Sequence, residues 1–517
     1  MTPFSRITAR TVGSEPVGAP PHPSFWVLTT PETDYPKLAG EIEVDVCVIG
    51  AGIAGLTAAT LLKREGKTVA VVESKRIVHG ATGYTTAKVT SGHGAIYGDL
   101  EDNFGAEGAR IYAESNEAAL ARVAQFVEED GIDCDFERKA NYIFAESKEE
   151  VAKLKKEVDA AKRAGLDVSF TDETSLPFEV AGAVRLENQA QFHPRKYLLA
   201  LAATIPGDGS HIFEQSIALD VKGTTVRASE GTVRAKDVII STQLPFEDSG
   251  LFFTKAHVHR SYAVAAPIDP SAAPDGMFIN AGVPTRSLRT IRDGDRLLVQ
   301  AGGEGHKIGD EADTTRRYRT LEEYLGKHWP QAGPVEYRWS TQDYMSVDRV
   351  PYIGRLRPTS AHVVTATGFS KWGMTGGTLA AMLLTDRIVG RENPWAELYD
   401  AQRIKPKASL KRFATGNASA AFHFFSDRLR SDDVDIESLG PGDGAIVRKG
   451  ARKRAVYRDE SGALHVLSPV CQHLYCHVIW NPAEQSWDCP CHGSRYSGEG
   501  EVIQGPTVKR LKRVELE

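Results

Sequence analysis

Two cysteines and two histidines near the C-terminus carry the most specific chemistry in this sequence. Cys471 and His473 form C-x-H, fifteen residues intervene, and Cys489 and His492 form C-x-x-H. Two thiols and two imidazoles can hold tetrahedral zinc. They can equally hold a [2Fe–2S] cluster, with thiolates on one iron and neutral imidazoles on the other. Imidazole brings less negative charge than thiolate, so such mixed ligation penalises the reduced state less and raises the potential. Of six cysteines, Cys47 and Cys134 stand alone, whereas Cys471, Cys476, Cys489 and Cys491 fall within 21 positions. In a cytosolic chain such crowding points to metal rather than to disulfide staples. His477 is not a ligand by spacing.

A second constellation lies near the N-terminus, where Gly50, Gly52 and Gly55 form G-x-G-x-x-G. The apolar run Val44 to Ile49 suits a buried parallel strand, and Ile53 to Leu62 follows at helical spacing up to Gly66. A further strand, Thr68 to Val72, ends at Glu73, 23 residues after the first glycine. Gly50 permits the tight turn, Gly52 lets the backbone approach a pyrophosphate, and Gly55 lets helix and strand pack closely. The helix N-terminus faces the phosphates, and Glu73 accepts from ribose hydroxyls, which favours FAD or NAD over NADP. Residues 80–94 (GATGYTTAKVTSGHG) are rich in glycine and threonine. Far downstream, residues 361–377 (AHVVTATGFSKWGMTGG) read as strand, Gly-rich turn and helix start, again aiming N–H groups at an anion. The TQDYMSVDRVPYIGRL stretch just before it supplies an Asp-rich turn.

Together these segments resemble the D-amino-acid-oxidase/glycine-oxidase group of FAD-dependent oxidoreductases over roughly residues 40–400. The resemblance implies FAD contacts at Gly50, Gly52, Ala54, Gly55, Glu73, Ser74, Thr82, Gly83, Thr86, Gly354, Gly368, Met374, Thr375 and Gly376. It also implies that the second helix N-terminus faces the flavin C2 carbonyl, where charge collects on reduction. The C-terminal segment resembles the Rieske proteins of cytochrome bc and b6f complexes. That resemblance implies metal ligands Cys471, His473, Cys489 and His492, and a disulfide between Cys476 and Cys491. It further implies hydroxyls of Ser494 and Tyr496 bonded to sulfur, and a covering loop at Gly505-Pro506. Tyr475 departs from the glycine usual in that family.

The elements must position these groups across several domains, since 517 residues exceed a single core. The expected fold is an α/β, Rossmann-like FAD-binding domain with an antiparallel-sheet substrate domain, followed by an all-β Rieske domain. The expected divisions are an N-terminal extension at 1–40, the oxidoreductase at 41–403, a packed connector at 404–431 and the Rieske domain at 432–517. Within the oxidoreductase, FAD-binding parts are expected at about 41–100, 185–250 and 340–403, and substrate-domain parts at about 101–184 and 251–339. NQAQFHPRKYLLALAATI (188–205) reads as a helix returning to the FAD domain.

A net charge of −6 gives no argument for nucleic acid or an anionic membrane, and no run of eighteen apolar residues predicts a transmembrane helix. The N-terminus lacks an apolar signal segment and a twin-arginine pair, so the cytoplasm is the default compartment.

A flavin that accepts a hydride beside a one-electron cluster suggests a dehydrogenase. The resemblance to the D-amino-acid-oxidase group implies an amine or amino-acid-like small molecule as substrate, oxidised at a C–N bond, and an unidentified external acceptor would take the electrons. Related sarcosine oxidases place a carboxylate-binding Lys where this chain has Thr375. Arg286, Arg289, Arg292 and His306 are candidates for recognising a carboxylate, though each is read more simply as a strand residue, and the sequence assigns no catalytic residue. The alternatives are an electron-transfer component of a multi-component redox system, for which no second G-x-G-x-x-G is seen, and a redox sensor. A Rieske oxygenase is excluded, because its mononuclear iron domain cannot fit in the 25 residues after His492.

Overall fold

The computed structural model describes residues 21–429, 434–450 and 452–516. The first elements are β1 (Gly40–Ile49), α1 (Ile53–Arg64), β2 (Val69–Val72), β3 (Lys88–Val89) and the helix α2 (Tyr97–Glu129). Strands β4 (Glu137–Ala145), β5 (Gly182–Gln191), β6 (His211–Phe213) and β7 (Gly231–Ile240) follow. Next come β8 (Ala256–Ile268), β9 (Met277–Asn280), β10 (Arg286–Asp293), β11 (Arg296–Lys307), helix α3 (Thr315–His328) and β12 (Tyr337–Ser346). The oxidoreductase part closes with β13 (Tyr352–Arg355), β14 (Val363–Thr367) and α4 (Gly373–Val389), and α5 (Pro406–Leu429) leads onward.

Two sheets result. The first runs β13-β14-β7-β1-β2-β6, with β14, β7, β1, β2 and β6 parallel. Its inner strands read as apolar runs because α1 and α4 cover one face, while residues outside the helices, among them Val226, Phe252 and Val258, cover the other. Helix α1 buries Ile53, Leu56, Ala59 and Leu62, and ends at Gly66, whose φ of 76° permits the left-handed reversal. The second sheet, β12-β8-β11-β10-β9-β4-β5-β3, is mainly antiparallel. Its strands alternate between a face toward the nucleotide-binding core (Ala263, Ala265, Leu298, Trp339) and a face toward α3 (Tyr262, Val264, Val299).

Two sequence expectations change. Residues 188–191 belong to β5, and the helix starts only at Pro194. His193 caps it, its ring nitrogen accepting from Lys196 N at 3.2 Å. The N-terminal stretch, expected as an extension, enters the core from Ser24. Phe25 and Trp26 are fully buried, and Trp26 Nε1 donates to Thr85 O at 2.7 Å. Burying Phe25 alone contributes about 2 kcal/mol. Residues 1–20 lie outside the described chain, as does the boundary expected at 431–432.

The last unit contains β15 (Gly444–Lys449), β16 (Arg452–Arg458) and β17 (Leu464–Leu467) in one antiparallel sheet. A second sheet holds β18 (Ile479–Asn481), β19 (Ser486–Asp488), β20 (Arg495–Ser497) and β21 (Val502–Gln504). Among the described residues no helix is long and apolar enough to cross a membrane.

Candidate functional site

The turn after β1 is built for close approach. Gly50 has φ 99°, and a Cβ on Gly55 would lie 1.9 Å from Gly50 O, so only glycine lets α1 begin there. A Cβ on Gly52 would meet no residue but Thr82, whose Oγ1 would be 3.0 Å away, which leaves the rest of that face of the turn open to a ligand. Thr82 Oγ1 accepts from Ile53 N at 3.1 Å, and Glu73 accepts from Ala51 N, Ser74 Oγ and Lys75 N. Ala54 lies buried in the first turn of α1. Gly377, which sequence reasoning passed over, brings α4 against this start. Its Cβ would lie 2.7 Å from Ile53 Cγ2 and 3.4 Å from Ala54 N, so two helix N-termini converge. The Gly376-Gly377 pair was the available signal.

The remaining expected contact residues have these surroundings. Gly83 has its open side against Val78 O, and Gly354 lies on the edge strand against Ala401. Gly368 has φ 75° and packs on Ser346, while Gly376 packs on Phe369 and Met374 is buried. Thr375 Oγ1 is occupied by Thr90, donating to its O at 2.8 Å and accepting from its N at 3.0 Å.

Residues 86–92 cross the nucleotide-binding face of the second sheet, with Thr86 Cγ2 near Gly302 and Asn141 Nδ2 near Gly92. Both side-chain amide atoms of Gln300, and Oδ1 of Asn141, are buried there without a hydrogen-bond partner. Lys88 is buried with Nζ on Phe278 O at 2.5 Å, and burial, then Arg289, push its ammonium well below the usual range. Arg289 itself donates to Thr86 O, Ala87 O and Thr290 O. Neither cation has an ion-pair partner among the described residues. A lysine amid small residues was a signal that sequence reading did not use.

The other arginine candidates are taken: Arg286 pairs with Glu304 at 2.6 Å and Arg292 with Glu137 at 3.0 Å. His306 stacks on Tyr262. Lys371 Nζ instead lies close over Gly305. Burial, with Lys371 and Lys307 beside it, holds the His259 imidazole down at about 3.

At the C-terminus the four expected ligands gather on two loops. Cys471 and Cys489 are fully buried, and the rings of His473 and His492 stand 5.1 Å apart at 87°. Tyr496 OH lies 3.2 Å from Cys471 Sγ, and Ser494 also hydrogen-bonds toward that sulfur while accepting from Thr507 N at 3.2 Å. Cys476 and Cys491 are joined as a disulfide between the loops, with Cα atoms 6.6 Å apart. Cys489 Sγ lies within 4.8 Å of both disulfide sulfurs. Disulfide sulfurs are not thiolate donors, so the donor set remains two thiols and two imidazoles. That set, closed by two hydroxyls, fits a mixed-ligand cluster. Gly505-Pro506 leads into the buried Thr507, and Tyr475 is 63% exposed with φ 60°.

These loops rest on the oxidoreductase part. Phe253 packs edge-on against His492 and His473, at ring distances of 5.1 and 6.1 Å. Tyr344 OH donates to His492 O at 2.9 Å, and Gln342 Nε2 to Gly493 O at 2.7 Å. The same strand, β12, meets the turn before α4, where Ser370 N donates to Tyr344 O at 3.0 Å and Lys371 N to Asp343 Oδ2. Beneath, fully buried Arg260 pairs with Asp488 at 3.0 Å, Arg495 reaches Asp488 at 3.1 Å, and Tyr318 OH donates to Glu484 at 2.9 Å.

The family profile for FAD dependent oxidoreductases (DAO) matches residues 45–387. The chain belongs to this family. A Rieske [2Fe-2S] domain profile matches residues 432–515 of this oxidoreductase. It is 35% identical over 501 residues to the Rieske 2Fe-2S iron-sulfur protein YhfW of Bacillus subtilis, covering 96% of this chain and 98% of that one. It is 25% identical to the gamma-glutamylputrescine oxidoreductase of Escherichia coli, covering 73% and 89% of the two chains. The L-proline dehydrogenase structure from P. horikoshii shares the fold with a TM-score of 0.58 at 19% identity, over 71% of this chain and 98% of that one. The protein is an FAD-dependent oxidoreductase with a Rieske [2Fe–2S] cluster, related to amine and amino-acid oxidases.

Proposed function

We propose that this oxidoreductase is a cytoplasmic dehydrogenase that oxidises a C–N bond of an amine or amino-acid-like small molecule. Its electrons would pass through the Rieske cluster to an external acceptor. When bound, FAD supplies hydride acceptance and the cluster supplies single-electron transfer. The FAD contacts are taken as Gly50, Gly52, Ala54, Gly55, Glu73, Ser74, Thr82, Gly83, Thr86, Gly354, Gly368, Met374, Thr375 and Gly376, and the cluster ligands as Cys471, His473, Cys489 and His492.

The observation that carries the reading is strand β12. Through Tyr344 and Gln342 it holds the loop of His492, and through Asp343 and the Tyr344 carbonyl it holds the turn that opens α4. On this reading one strand would set the spacing between the two cofactor sites. Lys88 and Arg289, buried without a carboxylate partner, suit a ligand that gains negative charge on reduction. Lys371 offers positive charge for a substrate carboxylate, and His259, held neutral beside it, adds no competing charge. The γ-glutamylputrescine-oxidising relative makes γ-glutamylated amines the first compounds to try.

The test is an anaerobic screen of amines, amino acids and their γ-glutamyl derivatives against the holoprotein. A true substrate bleaches the flavin first and then brings up the cluster's EPR signal. Rapid reduction by NADH with the cluster reduced before the flavin would overturn the proposal in favour of an electron-transfer component.

A further inference from the structure

The hairpin of β15 and β16 sets like charges against one another. Arg448 lies opposite Lys453, and Lys449 opposite Arg452. Like charges directly across an antiparallel pair repel and destabilise it. Arg448, Lys449 and Arg452 make no ion pair with any described residue. A fold selected for stability alone would place an acid in at least one of these positions.

The placement explains what the charges overlook. Ile446 and Ala455 point into the core that holds Cys471, Cys476 and Cys489. Arg448 and Lys453 lie two residues further along the same strands, so they share that face and overhang its edge. With Arg452 and Arg454 they wall a groove of about 360 Å³, floored by Ser468, Pro469, Val470 and His477. Val470 directly precedes Cys471, and Val470 and His477 pair across the base of the first cluster loop. The tip of that loop, at His473, faces Phe253 of the oxidoreductase part. The groove thus lies at the loop's base, beside Val470 and next in sequence to Cys471, while the flavoprotein side packs against the histidines.

We propose that this groove docks an acidic one-electron carrier protein that takes electrons from the cluster. The proposal rests on the cluster being the outlet of the dehydrogenase described above. Held by Cys471, His473, Cys489 and His492, the reduced cluster would supply one electron, and the carrier's oxidised metal would accept it. The chain as a whole carries −6, so an acidic partner is repelled over much of the surface and guided to this patch. A groove walled by guanidinium and ammonium groups suits surface carboxylates, whereas a neutral small-molecule acceptor would call for an apolar lining.

The test uses holoprotein reduced with dithionite and mixed anaerobically with oxidised plastocyanin, an acidic copper protein, or with basic cytochrome c. Reoxidation by plastocyanin should be fast at low ionic strength and slow as salt is added. The double variant Arg448→Glu/Arg452→Glu replaces both like-charged pairs with opposite ones, so the hairpin should fold, and an unchanged cluster EPR spectrum certifies it. In that variant plastocyanin should react on the order of tenfold more slowly and cytochrome c faster. An unchanged plastocyanin rate overturns the proposal. So does a loss confined to ferricyanide, which would mark a pocket for small anions only. Because dithionite loads the cluster directly, this result does not depend on the substrate. Failure of substrate electrons to reach the cluster would instead remove the dehydrogenase reading and leave docking standing.

Discussion

Tyr496 is fully buried, with its hydroxyl 3.2 Å from Cys471 Sγ and accepting from Gln472 N at 3.0 Å. A hydrogen bond to a ligand thiolate stabilises the reduced state, which carries the extra electron. Such a charge-assisted bond is worth about 1.5 kcal/mol. For a one-electron couple this is roughly 60 mV. Tyr496→Phe should lower the cluster potential by that amount in an EPR-monitored titration, with the FAD absorbance unaffected. An unchanged potential would mean that the hydroxyl serves only the backbone of Gln472. At this scale the ligands were legible because C-x-H and C-x-x-H are local patterns with fixed chemistry. Phe253, Gln342 and Tyr344 were not, since each lies more than a hundred residues from the loop it touches and no spacing marks it. Thr375 was noticed, but for a different reason. Its hydroxyl is committed to Thr90, so it ties α4 to the 80–94 segment.

Elements show where pattern reading holds and where tertiary structure overrides it. The β1-α1-β2 unit was legible because strand, glycines and helix follow within thirty residues and need no distant partner. Residues 188–191 were misread as helix because their side chains do not alternate clearly, and pairing with β3 and β4 decides the matter. The connector expected to pack is a helix, α5. Its Gly416 and Asn417 contact His257 and Thr254, yet Leu410 and Phe422 remain largely exposed.

The interface between β8 and β19 is the element on which the Rieske unit is seated. Asp488 accepts from Arg260, Arg495, Asn481 and Ser486, and burial, although it acts against ionisation, is outweighed by Arg260 and Arg495. Removing one partner of a fully buried ion pair costs about 3–5 kcal/mol, whereas replacing both with apolar groups costs far less. Asp488→Ala should therefore lower the thermal unfolding midpoint of the holoprotein sharply. Arg260→Met/Asp488→Leu should recover much of it. Equal losses in both would show that the charges, rather than their pairing, are what the interface needs.

At the scale of the whole molecule, the oxidoreductase and Rieske units share one buried polar layer. Inter-domain contacts within a chain are commonly polar and wet, and relative motion is then expected. Here Arg260, Glu484, Asp488 and Arg495 are buried together, and each rigid-body shift of the Rieske unit would expose or unpair them. The cluster loops are thus seated rather than tethered. A seated centre does not diffuse between a loading and an unloading position, so solvent friction does not enter the internal step. Sucrose added to raise viscosity should slow collision with an outside carrier in proportion and leave the internal flavin-to-cluster phase at its original rate. The molecule would then behave as a fixed wire whose speed is set in the dry layer under β12, with only its far terminal exposed to the drag of the surrounding water.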